Sequence, residues 1–299
     1  MAARLATVAT AALAMAAPAT SSAGAPQTNL GSANGLNYRQ AGPVVLGPGA
    51  ETFIFAECGQ GHAVTGGGLF AEAVSQMRTT FTAPFDLPPS GRPKDAWAAG
   101  AHNLSIFERS LTVYAICRRA GPRGLVYRSD GVTMQPGEAG RLTLACPGDS
   151  AVLGGGAGGA GSDTWVNTSR PYDDGDPNSK PDDGWKVRGY NDSGLTVDFD
   201  GHAVCTDRGI GELHYRSNNL NNVGAGSGAG ATAPCREAEA VTGGGTSISG
   251  GASQAWIAFT HPSDAKGDPG LMPEDGWSLT AFNDAGAPKD MTVYAICKG

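Results

Sequence analysis

Apolar and polar residues alternate along most of this chain. The runs Thr52-Phe53-Ile54-Phe55-Ala56, Leu142-Thr143-Leu144-Ala145, Trp185-Lys186-Val187-Arg188-Gly189-Tyr190, Leu195-Thr196-Val197-Asp198-Phe199 and Met291-Thr292-Val293-Tyr294-Ala295-Ile296 put every second side chain on one face. A period of two, rich in β-branched and aromatic residues, predicts antiparallel strands with one wet face. Turn signals separate the runs: Pro136-Gly137, Asn191-Asp192-Ser193-Gly194 and Asn283-Asp284-Ala285-Gly286. Beyond the N-terminal segment no stretch carries a helical period.

The pattern repeats three times. Cys58, Cys146 and Cys235 lie 88 and 89 residues apart, and each is followed 8 residues on by a glycine triplet beginning at Gly66, Gly154 and Gly243. Trp97, Trp185 and Trp277 each precede a second cysteine (Cys117, Cys205, Cys297) by 20 residues, and each has an asparagine 6 residues later. Upstream, Leu36-Asn37-Tyr38-Arg39 matches Leu125-Val126-Tyr127-Arg128 and Leu213-His214-Tyr215-Arg216. The periods run 36–122, 123–211 and 212–299, with five or six short strands expected in each. Self-similarity at a fixed period governs any reading of the fold.

Ahead of the repeats, residues 1–23 read as a secretory signal peptide. Arg4 precedes an apolar run from Leu5 to Ala17, and Ser21-Ser22-Ala23 offers a small-residue cleavage site. Residues 24–35 read as a flexible tether. Export makes disulfides the expected state of the cysteines. Equivalent units should close equivalently, which favours Cys58–Cys117, Cys146–Cys205 and Cys235–Cys297; the rival pairs neighbouring units (Cys117–Cys146, Cys205–Cys235) and leaves Cys58 with Cys297. The net charge is −7, and without Arg4 it is 20 − 28 = −8. A mildly acidic exported chain is a poor partner for nucleic acid or anionic membrane, and no later run is long enough to insert in a bilayer.

A glycine triplet inside a strand weakens it unless another backbone must come close. Three triplets therefore suggest three sheets meeting around a shared axis, with the three repeat tryptophans as core. These units resemble a Cys…Gly-Gly-Gly…Trp…Ala-x-Cys repeat of small secreted proteins from high-GC bacteria, generally without assigned function, over nearly all of residues 36–299. On repeat number, strand content and glycine placement they also resemble the β-prism of vitelline membrane outer layer protein I and of β-prism lectins. That second resemblance implies an all-β, pseudo-threefold, β-prism-like arrangement of three antiparallel repeats. The alternative is three tandem β-sandwich modules.

Candidate chemistry lies in the loops. Asp173-Asp174-Gly175-Asp176-Pro177-Asn178 and then Asp183 form the most polar stretch, and the third copy carries Asp264 and Asp275. Asp174, Asp176 and Asn178 alternate as oxygen ligands of a calcium loop would, but Ser179 and Trp185 stand where an EF-hand needs Gly and Glu. A solvated acidic turn is expected, with an irregular calcium site as the alternative and no other cofactor. Trp165 and Trp256 sit six residues before the Ser/Thr-x-Pro prolines of copies two and three, where copy one has Arg78. They read as core or as sugar-stacking platforms. The five histidines occupy no common repeat position, and no Gly-x-Ser-x-Gly elbow occurs. The expectation is a secreted, non-enzymatic protein that binds polysaccharide or cell-surface glycans. Its competitor is a structural envelope component or an inhibitor of secreted hydrolases.

Overall fold

The computed structural model describes residues 24–72, 75–87, 94–119, 124–159, 161–175, 178, 180–206, 210–264 and 272–299, so the expected signal peptide lies outside the described residues. Among the described residues all nineteen regular elements are strands. After β1 (Gln27–Ala33), copy one supplies β2 (Leu36–Leu46), β3 (Glu51–Glu57), β4 (His62–Ala71), β5 (Met77–Phe85), β6 (Ala96–Asn103) and β7 (Arg109–Arg119). Copy two supplies β8 (Val126–Met134), β9 (Ala139–Ala145), β10 (Ala151–Gly159), β11 (Thr164–Tyr172), β12 (Gly184–Asn191) and β13 (Val197–Thr206). Copy three supplies β14 (Leu213–Val223), β15 (Ser227–Pro234), β16 (Ala240–Ile248), β17 (Ala255–Ser263), β18 (Gly276–Asn283) and β19 (Lys289–Lys298).

No copy forms a sheet by itself. The first, sixth and third strands of a copy make one three-stranded half, and its second, fifth and fourth make another. Each sheet joins halves from two copies: β1-β2-β7-β4-β17-β18-β15, β3-β6-β5-β10-β13-β8 and β14-β19-β16-β11-β12-β9. The seams are short antiparallel pairings, Leu69 with Thr260, Thr82 with Ala157, and Ser169 with Thr246. The result is a pseudo-threefold prism rather than a row of separate sandwiches.

The glycine triplets make the prism close. A Cβ on Gly66 would lie 2.6 Å from the Thr242 carbonyl oxygen, one on Gly154 would lie 2.5 Å from that of Thr65, and one on Gly243 would press on that of Leu153. The first glycines thus face one another in a closed ring about the axis. The second glycines (Gly67, Gly155, Gly244) lie flat against the indoles of Trp97, Trp185 and Trp277, and the third (Gly68, Gly156, Gly245) against the carbonyls of Thr260, Thr82 and Ser169 across the seams. Those same three residues accept the indole N–H groups through their hydroxyls, at 2.9 Å for Trp97 to Thr82 and 2.9 Å for Trp185 to Ser169, and at 2.6 Å for Trp277 to Thr260. The Ser/Thr of each Ser/Thr-x-Pro is therefore a tryptophan anchor, which satisfies an N–H that burial would otherwise leave unpaired.

The repeated tyrosine links each copy to another. Tyr38 donates to Val241 O (2.8 Å), Tyr127 to Val64 O (2.8 Å) and Tyr215 to Val152 O (2.9 Å). Disulfides close within copies: Cys58–Cys117, Cys146–Cys205 and Cys235–Cys297. Three disulfides fit an oxidising, extracellular environment. Among the described residues no helix is long and apolar enough to cross a membrane.

The tether expectation is corrected over most of its length. Residues 27–33 are β1, paired along β2 as the edge of the first sheet. Asn34-Gly35 supplies the two-residue turn, with φ of 50° and 75°, the preferred chemistry of a type I′ hairpin. Gln27 reinforces the edge, donating to Phe55 O and accepting from the Glu57 N–H.

Candidate functional site: a cationic groove on the third sheet

A groove of about 470 Å³ runs across the outer face of the third sheet, over β9, β12, β11, β16 and β19. Alternation decides what lines it. On β12 the inward residues are Trp185 and Val187, so Lys186 and Arg188 point out. On β9 the inward Leu144 leaves Arg141 and Thr143 outside, and on β11 the inward Ser169 leaves Thr168 and Arg170. Ser247, Ser249 and Thr292 add hydroxyls along the other wall. Strand spacing of about 4.8 Å, with same-face residues about 7 Å apart along a strand, makes this a dense grid.

Four cations share the groove with one carboxylate, Asp290, whose Oδ1 already accepts the Asn222 N–H at 3.0 Å. Arg188 donates one Nη1 bond to Gly250 O, and its Nε is buried without a partner. Burial, and then the charge of Arg141, hold the Arg188 pKa below its usual value. Arg170 donates to Pro171 O (3.0 Å) and lies over the Tyr294 ring, while Lys186 lies over Tyr172. Arg170, Lys186 and Arg188 are thus steadied on their flanks with donors left over, while Arg141 is exposed.

The loop and tryptophan expectations fare differently. Trp165 (1% exposed) and Trp256 (3%) are buried, so neither is a stacking platform. The expectation that alternation sets them on the face of Asn167 and Ser169 is corrected: a bulge after Val166, and another after Ile257, shifts the register, so Trp165 pairs with Tyr190 and Trp256 with Phe282 on the face opposite Ser169 and Thr260. Their indoles donate to Ala252 O (3.1 Å) and Met77 O (3.0 Å). The third equivalent residue, Arg78, lies between them, its guanidinium carbon 4.2 Å from the Trp165 ring centroid and 4.4 Å from that of Trp256. This cation–π sandwich plugs one end of the axis. Burial lowers the Arg78 pKa, and Asp192, Asp163 and Asp284 oppose that shift.

Asp173, Asp174 and Asp183 bring carboxylate oxygens within 4.8 Å of one another. Two of the carboxylates cap backbone: Asp183 accepts the Asp174 N–H (2.6 Å) and Asp173 the Gly175 N–H (2.7 Å). Asn178 accepts the Lys180 N–H (2.7 Å), and Asp176 lies outside the described residues. Asp275 is buried, its carbonyl accepting the Cys235 N–H (2.7 Å), which corrects its expected place in an exposed ligand loop. Asp264 is exposed at the end of β17.

Sequence reasoning passed over Arg141, Arg170, Lys186 and Arg188. The signal was available: comparing the three copies position by position shows charge only in copy two. No family model and no curated protein matches the chain.

Proposed function

We propose that this is an exported, non-enzymatic protein that binds polysaccharide at the cell surface or in the surrounding matrix, through the groove on the third sheet. The observation that carries the reading is the groove itself. It has the volume of a small-ligand site, and it presents hydroxyls and forked guanidinium donors together, the groups that grip sugar hydroxyls and ring substituents. The three disulfides suit a protein working outside the cell. Five strands build the floor, so the donors are held on a rigid surface and little ordering entropy is lost on binding.

The test is saturable binding of the oxidised protein, without residues 1–23, to a panel of insoluble polysaccharides and cell walls, with competition by soluble oligosaccharide. The control is Ser247→Phe, which places in the groove the residue that copy one carries at the equivalent position, Phe70. Saturable binding that Ser247→Phe abolishes supports the groove as the site. Binding unchanged in that variant, or no binding at all, refutes it.

A further inference from the structure

We infer that the groove selects an anionic polysaccharide, one bearing carboxylate, sulfate or phosphate groups, with Arg141, Arg170, Lys186 and Arg188 as the selecting residues. This rests on the polysaccharide-binding reading above and adds the charge class of the ligand. Two independent observations carry it.

The first is the arrangement of the cations against one another. Arg188 stands directly across from Arg141 in the β12–β9 register, and Lys186 directly across from Arg170 in the β11–β12 register. Like charges directly opposed across strands destabilise a sheet. Among the described residues none of the four makes a salt bridge, although the chain has 28 acidic residues to 21 basic ones. An anion seated between the pairs would remove the repulsion and engage the spare forked donors of arginine in the bidentate geometry they favour.

The second is an internal control. The same backbone occurs three times, and at these four places copy three has Gly230, His261, Ser278 and Thr280, while copy one has Phe53, Ala83, Ala98 and Gly100. His261 is half-buried, and desolvation holds its pKa down to about 4, so it is neutral. The fold thus forms twice with no cation at any of these positions, so the packing of the repeat does not account for them. The face of the second sheet instead clusters Phe53, Phe55, Phe81 and Phe85, with neighbouring ring centroids 4.9–5.9 Å apart. The hydroxyls around the cations suit a glycan rather than a bare phosphate backbone.

The experiment compares the oxidised protein with a Lys186→Ser, Arg141→Gln double variant. Lys186→Ser installs the residue of copy three, and Arg141 is exposed, so both changes leave the core intact. The probes are sodium polygalacturonate for carboxylate, dextran sulfate for sulfate ester, a glycerol-phosphate wall polymer for phosphodiester, neutral dextran, and duplex DNA. Expected is binding to at least one anionic polysaccharide and not to dextran, weakened about tenfold or more between about 0.05 and 0.5 M salt, and lost in the double variant. The variant should melt no lower than the parent, since like-charge opposition is relieved. Equal binding of neutral glycans, unaffected by the double variant, would overturn the charge inference and leave the polysaccharide reading standing. Binding of no glycan would overturn both, and tighter binding of DNA than of any polysaccharide would overturn the glycan assignment.

Discussion

A methyl group added at Gly154 tests whether the three copies close on one another. In Gly154→Ala the new Cβ would sit 2.5 Å from the Thr65 carbonyl oxygen and 3.2 Å from Gly66 Cα, inside the separation of about 3.5 Å at which carbon contacts become favourable. Both obstacles are backbone, so no side-chain rotation relieves them. Nor can β4 retreat, because Gly66 already faces Thr242 and Gly243, and Gly243 in turn faces Leu153 and Gly154. The displacement returns to its origin around the ring. Overpacking costs about 1–3 kcal/mol where some relaxation is available; here the upper end, about 3 kcal/mol, is expected. At about 2–4 °C per kcal/mol for a chain of this size, the melting temperature should fall by about 6–12 °C. The control is Gly194→Ala, in an exposed turn where an added Cβ meets nothing within 4 Å, expected to stay within about 0.5 kcal/mol. Thermal unfolding of both oxidised variants by circular dichroism decides it. If Gly154→Ala melts with Gly194→Ala, the axis is not closed as described.

Two other outcomes follow from buried groups. All five tryptophans are at most 3% exposed, so acrylamide should quench the native fluorescence weakly, whereas Arg78→Ala, which unplugs the Trp165–Trp256 sandwich, should raise quenching clearly; strong quenching of the parent would contradict the burial of these indoles. His202 and His261 are each held down to about 4, by burial first, with Lys94 adding to the effect at His202 and the Pro262 carbonyl opposing it at His261. The unfolded imidazole, near 6.5, takes up its proton first, so stability is fully present above about pH 6.5 and is lost as pH falls towards 4, by about 2–3 kcal/mol for each histidine. Urea midpoints across this range should show the loss. His202→Tyr, which installs the residue of both other copies (Tyr114 and Tyr294), should shallow it; an unchanged slope would show that His202 does not titrate between the two states.

Much of the fold was legible because its signals are local. Alternation marked the strands, and the glycine triplets marked the axis, since glycine recurring inside a strand signals close approach of another part of the chain. β1 was passed over although its turn, Asn34-Gly35, is a strong hairpin signal, because the Gly, Ser and Asn around it read as tether composition. Trp165 and Trp256 were ambiguous for a different reason. Alternation read from sequence runs straight through the bulges in β11 and β17, which turn these tryptophans to the opposite face, and there Arg78 from another copy covers them.

The sequence by itself determined the threefold period, the strand content and the residues that recur, since each is a short-range pattern along one chain. Only the tertiary structure decided that every sheet would be shared between two copies, because the seams join strands far apart in the chain. It also decided where charge would gather. Arg141, Arg170, Lys186 and Arg188 are ordinary outward residues on three separate strands, and they become a groove only when β9, β12 and β11 lie side by side. A net charge of −7 conceals that cationic face, because net charge sums over the surface while recognition is read within a Debye length of about 8 Å.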